Sequence, residues 1–515
     1  MRISKNSVFV SAFSLTLSNI TLQLLGFVYR VVLGRMTGAE GMGVYQLILP
    51  FYSVLISLTM SGLTVAVSRI TAEYGAFGDD ASARRAVGIS QALFLALFAP
   101  VAIFTVNRAG WIGNVVLGNE KTCAALYIIL PCLLLTGFEN IHKNYFFGRK
   151  KLTPPIISEL TEQSVRIIAV ITLIWLFNTS DPGINAFLIV SGMTVSEIVS
   201  VIILSCVYSR RGPRRLDAKP VPAFGLFAKI CSVALPISAA GALNNILSSA
   251  NSVLVPRMLV SSGMDMNAAL GEFGMLFGMI IPVLYLPVAF ISPLTVIMVP
   301  RLSEKVAVKN LSDVRRKAGK TIHVTGLMAF PAMAALIPLG EVFCRLIYNQ
   351  SGTGKYILPL CIATVFSYYQ ITTNTVLNGI GQQRRAAAHV VFGNIIQLFF
   401  TLGAGLPRVG MSGYIAGYII SDVFMAVLNI HCIIKKLKMR IRWFNWFFIP
   451  VICSALSGLI INLAYTLLRF DGVGEWHALL VSLVMGALSY LICLNLMGTS
   501  ITGYIKKLIP KNRDA

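Results

Sequence analysis

Fourteen long apolar segments follow one another along the chain, and they constrain its fold more than any other feature. A helix needs about 20 apolar residues to cross a bilayer, and only helices or closed barrels satisfy every backbone polar group inside lipid. Each of the fourteen segments is long enough to form such a helix. The predicted spans are residues 7–33, 43–70, 86–106, 122–147, 154–178, 183–208, 224–256, 272–299, 321–346, 356–380, 386–406, 410–434, 444–468 and 476–498.

The composition agrees with an all-α polytopic membrane protein. Only 12% of the 515 residues are charged and 56% are hydrophobic, whereas soluble domains carry about 25% charged residues. The first span follows a basic N-terminus and has no small-residue cleavage site, so it is interpreted as a retained helix and not as a signal peptide. The nine cysteines are scattered without a CxxC motif, which predicts neither a disulfide framework nor a metal site.

Basic residues are concentrated in alternate connections between the predicted spans. The chain has 43 Lys and Arg and a formal net charge of +23. Most of these residues fall on the same side as the N-terminus, so the positive-inside rule predicts that both termini are cytoplasmic. Such loops face anionic lipid, and the expected partner is therefore the phospholipid bilayer and not nucleic acid. The connections contain residues 84–85, 149–151, 210–215, 301–320, 435–442 and 506–513.

A basic, proline-rich segment at residues 209–225 divides the first twelve predicted spans into two sets of six. A weak repeat relates the two sets, although chance similarity between apolar helices remains an alternative. Repeats of this kind are typical of transporters built from two similar halves with the site between them. We therefore predict pseudo-symmetric six-helix lobes at residues 1–215 and 216–442, followed by a helix pair and tail at 443–515. The matched positions are Arg35-Met36, Pro50 and Arg69 in the first set, and Arg257-Met258, Pro282 and Arg301 in the second.

No feature of the sequence indicates an enzyme. The connections between spans are too short to form a catalytic domain. The segment VRRKAGKT, residues 314–321, resembles the end of a P-loop but lacks the first glycine and a preceding strand. The five histidines do not cluster with carboxylates or cysteines at metal-ligand spacing. We predict a non-enzymatic protein without a cofactor or nucleotide site, which would draw energy from the membrane potential or a coupled monovalent ion.

Polar side chains inside the predicted spans are the remaining candidates for function. Glu159, Glu162 and Arg166 follow an i, i+3, i+7 pattern on one helix face, and Glu162 and Arg166 are spaced to pair. Together with Asp422 they are predicted to act in gating or coupling. The polar stripes on three other helices are predicted to bind substrate. The alternative is that these groups only join helices through hydrogen bonds or a self-neutralised ion pair. The stripe residues are Asn244, Asn251, Gln370, Asn374 and Gln397.

Three further groups carry charge within or near the spans. Glu139, His142 and Lys143 are interpreted as a cluster that reaches the cytoplasmic interface, and Glu197 is an additional intramembrane acid. These residues are not included in the predicted site.

Arginines near the end of the first span point to an anionic ligand. An arginine at the centre of a spanning helix costs about 2.5 kcal/mol or more. Arg35 can extend to the outer surface, whereas Arg30 lies one turn deeper, shortly after Gly26. The guanidinium group binds phosphate oxygens in a bidentate manner and stays charged at any relevant pH. We predict that Arg30, Arg35 and Arg257 contact an anionic headgroup; the alternative for Arg30 is a snorkelling anchor.

The segment LGFVYRVVLGRMTGAEGMGVYQLILPFYSVLISLTMSGLTVAVSRITAEY, residues 25–74, resembles the first helical hairpin of the polysaccharide-exporter branch of the MOP flippase superfamily. It is most similar to the stage V sporulation protein B group and to MurJ-type lipid II flippases, and VPRLSE at residues 299–304 is similar to these families as well. The resemblance implies two six-helix lobes around a central cavity with alternating access. It also implies that first-helix arginines, here Arg30 and Arg35, meet a pyrophosphate.

One position departs from the lipid II flippases. Those proteins carry an arginine near the start of the eighth helix, whereas residues 274–287 of this chain, GMLFGMIIPVLYLP, contain no charge. Arg257 is the expected substitute from the end of the seventh helix. The departure leaves room for a lipid-linked glycan other than lipid II.

The resemblance and the residues together predict a flippase for an undecaprenyl-pyrophosphate-linked saccharide, such as a lipid II-like peptidoglycan precursor, in the bacterial cytoplasmic membrane. Spore cortex synthesis is one expected setting, and cell-wall synthesis proteins are expected partners. Two alternatives remain. A cation-coupled multidrug antiporter of the same superfamily would use a glutamate of the fifth or sixth helix, or Asp422. A non-transporting membrane scaffold would tolerate the loss of Arg30.

Overall fold

The computed structural model describes residues 5–211, 221–288, 291, 298–299, 302–306, 308–440 and 442–498. Within these residues the chain is helical, with short connections and no strand. Arg301 and the basic tail at 506–513 lie outside the described residues, as does most of the linker that contains the predicted 215/216 boundary.

Fourteen long helical segments make up the described chain, and they are numbered here in chain order. Helix α8 continues as a π-helix through Met275–Ile280 and a last turn at Ile281–Tyr285. The helices are α1 Lys5–Thr59, α2 Ser61–Ala76, α3 Asp80–Asn107, α4 Cys123–Gly148, α5 Thr153–Phe177, α6 Pro182–Arg211, α7 Ala223–Ser261, α8 Met266–Gly274, α9 Leu311–Tyr348, α10 Gly354–Gly379, α11 Gln383–Gly403, α12 Gly410–Leu437, α13 Ile449–Phe470 and α14 Glu475–Leu496.

Every predicted span contains helix, and the all-α polytopic fold is confirmed. Twelve helices in the described residues are long and apolar enough to cross a membrane. One of the twelve, Leu17–Thr59, covers residues 17–33 of the first predicted span and 43–59 of the second. The polar helix Gly354–Gly379 covers the tenth predicted span without being one of the twelve.

Gly38 breaks the long α1 helix at the place where the sequence suggested a turn between two spans. Its φ of 68° and ψ of −175° are not helical, and glycine adopts such positive φ values without steric cost. Side chains cap the starts of α3, α8 and α9. The Asp79 carboxylate accepts a hydrogen bond from the Ser82 amide at 2.9 Å, which satisfies one free donor at the start of α3.

The chain divides into two compact units. The first takes its described residues from Met1–Met279 and Leu398–Tyr414. In this unit α1 packs against α7 and α8, and the contact with α8 is close enough to require glycine. A Cβ atom at Gly43 would lie 2.2 Å from the Leu270 carbonyl oxygen, and one at Gly274 would lie 1.9 Å from the Ala39 carbonyl oxygen. Small residues of this kind allow membrane helices to approach closely.

The second unit takes its described residues from Ile280–Gln397 and Ile415–Ala515. Here α13 and α14 pack against each other and against α9. The basic segment before α9 is not only a surface feature, since Leu302 and Val314 are fully buried in a core with Leu377 and Ile433. The division at Met279 differs from the predicted one at residue 215, but the lobe boundaries themselves stay a prediction.

Candidate functional site

Six charged side chains meet inside the first unit, where α4, α5 and α6 pack on one another and on α1. We call this group the charged cluster. Helical spacing explains part of it, because residues four apart share a helix face, as Glu139 and Lys143 do on α4 and Glu162 and Arg166 do on α5. Packing of the helices supplies the rest. The cluster consists of Glu139, Lys143, Glu159, Glu162, Arg166 and Glu197.

Lys143 joins α4 to α5. Its Nζ atom lies 3.1 Å from Glu139 Oε1 on its own helix and 3.1 Å from Glu159 Oε1 on the neighbouring one. Both α4 residues are buried, with Glu139 only 1% exposed. The side chains of Glu139, His142 and Lys143 are all buried within the unit, so none of them extends to solvent. Their apolar neighbours on α4 belong to the unit's core, which places the whole helix face inside the protein.

Arg166 joins α5 to α6. Its Nη2 atom donates a hydrogen bond to Glu162 Oε1, so the pair expected from the spacing is present. The same guanidinium lies 3.4 Å from Glu197 Oε1 and donates from Nε to Ser196 Oγ at 3.3 Å. A planar group with five donors suits such a branched arrangement.

Hydroxyl groups complete the polar interior of these three helices. Ser200 Oγ on α6 donates to Glu139 Oε1 at 2.6 Å, and it lies 2.6 Å from Ser158 Oγ on α5. All three residues are buried. Interhelical hydrogen bonds from small residues hold membrane helices together, and part of the charged cluster therefore serves packing.

Acids outnumber bases in the charged cluster. Four carboxylates face one lysine and one arginine, which leaves an excess of two negative charges if every group is ionised. Oxygens of Glu139, Glu162 and Glu197 all lie within 4.8 Å of one another. This trio is the one group in the described part of the chain with the spacing of a cation-binding site. Sequence analysis named Glu139 and Glu197 but did not place them in the predicted site, because their proximity to Glu162 arises from helix packing.

Arg30 is more exposed than Arg166, which is half-buried. Its side chain is exposed, and it makes no hydrogen bond or ion pair with any residue that the structure describes. Its chain neighbour Tyr29 is buried and interacts electrostatically with both Arg30 and Arg166. Helix α1 thus places the exposed Arg30 next to Tyr29, which borders the charged cluster. Arg35, also exposed, lies further along the same helix.

Helix α7 has polar contacts with α1 through Asn245 and Ser249. Asn245 donates to Ser57 Oγ, and Ser249 Oγ donates to the Pro50 carbonyl at 2.9 Å. The predicted residues Asn244 and Asn251 are half-buried and buried, respectively. Asn245, the neighbour of the predicted Asn244, faces α1. Adjacent helix positions point about 100° apart, so the two asparagines have different surroundings.

Arg257, at the end of α7, contacts the connection before α4. Its guanidinium donates to the carbonyl of Val115, in the π-helical stretch Ile112–Leu117. It also packs closely against Gly118, where a Cβ atom would lie 2.5 Å from Arg257 Nε. These contacts tie α7 to the connection before α4 and give Arg257 a structural role besides the predicted one.

The other predicted residues lie in the second unit. Gln397 Oε1 accepts a hydrogen bond from Ser421 Oγ at 3.2 Å, and Asp422 Oδ2 accepts one from Ser367 Oγ. Gln370 and Asn374 are half-buried on α10. Gln397 and Asp422 are nearly inaccessible, with 6% exposure each. Their roles in binding or coupling remain predictions.

Comparison with known proteins agrees with the predicted resemblance. A family model described as "Polysaccharide biosynthesis protein" matches residues 8–306, which is more than half of the chain. Stage V sporulation protein B of Bacillus subtilis (strain 168) is 25% identical over 453 residues, covering 85% of this chain and 86% of the relative. Lipid II flippase MurJ of the same organism is 20% identical over 548 residues, covering 96% and 97%.

The fold is also found among solved structures. A structure titled "Lipid II flippase MurJ, inward closed conformation" aligns with 96% of this chain and 99% of its own, with a TM-score of 0.65 and 14% sequence identity. At that identity the likeness concerns the fold alone. The comparisons confirm the resemblance that residues 25–74 indicated.

Proposed function

We propose that this chain, which belongs to the polysaccharide biosynthesis protein family, is a flippase that moves an undecaprenyl-pyrophosphate-linked saccharide across the bacterial cytoplasmic membrane by alternating access. The names of two relatives support this proposal: one is a lipid II flippase and the other a sporulation protein. A lipid II-like peptidoglycan precursor is the proposed cargo, with spore cortex synthesis as its setting. Both termini face the cytoplasm in this proposal, and no enzymatic step is involved.

The observation that carries the proposal is the state of Arg30. It lies within the candidate membrane span Leu17–Thr59, is exposed, and has no counter-ion among the described residues. An unpaired arginine facing lipid tails is costly, so such residues face water or an anionic group. A pyrophosphate offers that group, since guanidinium and phosphate form charge-assisted hydrogen bonds. Arg35, exposed one turn and a half further on, is the proposed second contact.

The other predicted residues have supporting roles in this proposal. Asn244, Asn251, Gln370, Asn374 and Gln397 would bond sugar hydroxyls, and Arg257 would assist at the pyrophosphate. The engagement of Arg257 with Val115 means that this last contact requires the guanidinium to exchange partners.

A flipping assay with the purified chain in liposomes tests the proposal. Fluorescent undecaprenyl-pyrophosphate-linked disaccharide is incorporated in both leaflets, and the fraction accessible to an impermeant reductant is followed with time. The proposal expects protein-dependent exposure of the inner-leaflet pool. Exposure equal to that in protein-free liposomes would overturn it.

A second candidate function is favoured by the charged cluster. Carboxylates within the membrane are what a cation-coupled multidrug antiporter needs, and Glu162 is half-buried and Glu197 buried in the first unit. The same liposomes decide between the two functions when loaded with a cationic dye. Dye efflux driven by a cation gradient, without flipping of the lipid, would favour the antiporter.

A further inference from the structure

An open cavity of about 710 Å³ lies at the end of the first unit where α4 and α6 begin, and no residue of the charged cluster lines it. Its walls are the connection before α4, the first residues of α4 and the first turns of α6. Both helices are candidate membrane spans that start here, so the cavity lies at the edge of the membrane-spanning region. Its volume falls within the about 300–1,000 Å³ that is typical of small-molecule sites.

Two carboxylates in the lining of this cavity have no cationic partner. Glu120 and Asp181 are both exposed, and neither forms an ion pair within the part of the chain that the structure describes. Asp181 Oδ1 accepts hydrogen bonds from the amides of Gly183 and Ile184 at 2.7 and 2.9 Å, which holds its side chain at the start of α6. Carboxylates only accept hydrogen bonds, so this part of the cavity suits a positively charged donor.

Lys121 places a positive charge beside these acids. Its Nζ atom lies 3.0 Å from Glu40 Oε1 on α1, and an ammonium group has further N–H donors for a second acceptor. A Cβ atom at Gly183 would lie 3.0 Å from Lys121 Cβ and 3.1 Å from Asp181 Oδ1, so the base and the acid are neighbours. The cavity therefore offers an anion-binding group next to cation-binding groups.

The apolar side of the cavity faces the membrane. Ile184 is exposed and lines the cavity together with the half-buried Phe187 on the same helix. Trp111 and Tyr127, which lie just before and just after the lining residues of the connection and of α4, are exposed as well. Trp and Tyr are enriched where the membrane meets water. Their position indicates that the cavity lies at the depth of lipid headgroups.

We propose that this cavity binds the headgroup of a phospholipid that carries a primary ammonium group besides its phosphate. The ammonium group donates to Glu120 and Asp181, and the phosphate accepts from Lys121 and from the exposed amide of Asn114, in charge-assisted hydrogen bonds. Phosphatidylethanolamine and aminoacylated phosphatidylglycerol both have this chemistry. Binding of such a lipid goes beyond the proposed transport and does not depend on it.

The same side chains select against other headgroups. An anionic headgroup without an amine brings only acceptors towards two unpaired carboxylates, which is unfavourable. A choline headgroup carries positive charge but has no N–H to donate, and a site built for hydrogen bonding rejects an analogue that lacks the donor. Quaternary ammonium groups are held by aromatic cages, whereas Phe187 is the single aromatic residue among the described residues that line the cavity.

Binding is measured on the purified full chain in a neutral detergent, without lipid-linked saccharide. Native mass spectrometry follows the lipid-bound fraction as phosphatidylethanolamine, lysyl-phosphatidylglycerol, phosphatidylcholine or phosphatidylglycerol with the same acyl chains is added. The test variants are Glu120→Gln and Asp181→Asn, of which the second keeps an acceptor for the amides of α6. The matched control is Glu73→Gln, which removes a carboxylate of the same unit that is paired with Lys229 on α7.

The proposal expects the wild type to bind at least one of the two amine-bearing lipids about tenfold or more tightly than the other two lipids. Which of the two is preferred identifies the ligand. The preference should fall in both test variants and persist in Glu73→Gln. Equal binding of all four lipids by the wild type, or a preference that either test variant retains in full, would overturn the proposal. No cargo is present, so the result is independent of whether the chain flips the lipid-linked saccharide.

Discussion

Arg166 Nη2 lies 3.4 Å from Glu197 Oε1, across the packed interface of α5 and α6. The same guanidinium is bonded to Glu162 on its own helix and to Ser196 on α6. One arginine therefore faces the buried carboxylate of Glu197 and the half-buried one of Glu162, and it joins two membrane helices. Its contacts are all internal to the first unit, which is the arrangement expected of a brace.

Replacement of Arg166 with leucine should lower the amount of folded protein. The change leaves the buried Glu197 and the half-buried Glu162 without their cation, and breaking a buried ion pair costs about 3–5 kcal/mol. Membrane expression level and the thermal unfolding midpoint measure the loss. Arg166→Lys, which keeps the charge but not the branched donors, should fall between leucine and wild type. An Arg166→Leu protein made at the normal level that fails to transport would show instead that Arg166 belongs to a gate.

Lys143→Met should destabilise the protein far more than Lys229→Met. The lysine of α4 is buried between Glu139 and Glu159, with 11% of its side chain exposed, whereas Lys229 pairs with Glu73 at the surface with 37% exposed. Exposed ion pairs contribute about 0–1 kcal/mol, because solvent screens them. Thermal midpoints of the two variants, compared with wild type, check this expectation. Equal midpoints would mean that the acids around Lys143 are already neutral.

Gly274→Ala should be destabilising, and Gly271→Ala should not. A Cβ atom at Gly274 would lie 1.9 Å from the Ala39 carbonyl oxygen, whereas nothing lies within 4 Å of a Cβ at Gly271. Both glycines are in α8, so the gain in helix propensity from alanine, about 1 kcal/mol, is the same for the two. Thermal midpoints in nanodiscs separate them. A Gly274→Ala variant as stable as wild type would contradict the close crossing of α1 and α8.

Hydropathy alone predicted fourteen spans, and each of them contains helix, because the requirement to satisfy backbone groups in lipid leaves few other structures. It could not show the conformation of Gly38, whose φ of 68° and ψ of −175° break the helix between the first two predicted spans. Hydropathy also could not predict the burial of Leu302 and Val314. Their basic neighbours lower the mean hydropathy of the segment.

The candidate site was only partly predictable. The pairing of Glu162 with Arg166 follows from a four-residue spacing and is present. The proximity of Glu139 and Glu197 depends on which helices pack together and on their rotation, and no local pattern contains that information. The same limit explains why Asn245, and not its neighbour Asn244, was found to bond Ser57 on α1.

The most direct test of the account compares lipid flipping by Arg30→Ala and Arg84→Ala with that of wild type in the liposome assay. Both arginines are exposed in the first unit, but Arg84 lies in the second turn of α3 and not on α1. Hydrogen bonds to a charged group contribute about 1.5–3 kcal/mol, so loss of the Arg30 contact should slow flipping about tenfold or more. Thermal midpoints of both variants should match wild type. Equal flipping by Arg30→Ala and Arg84→Ala would contradict the account and leave Arg30 as a surface anchor.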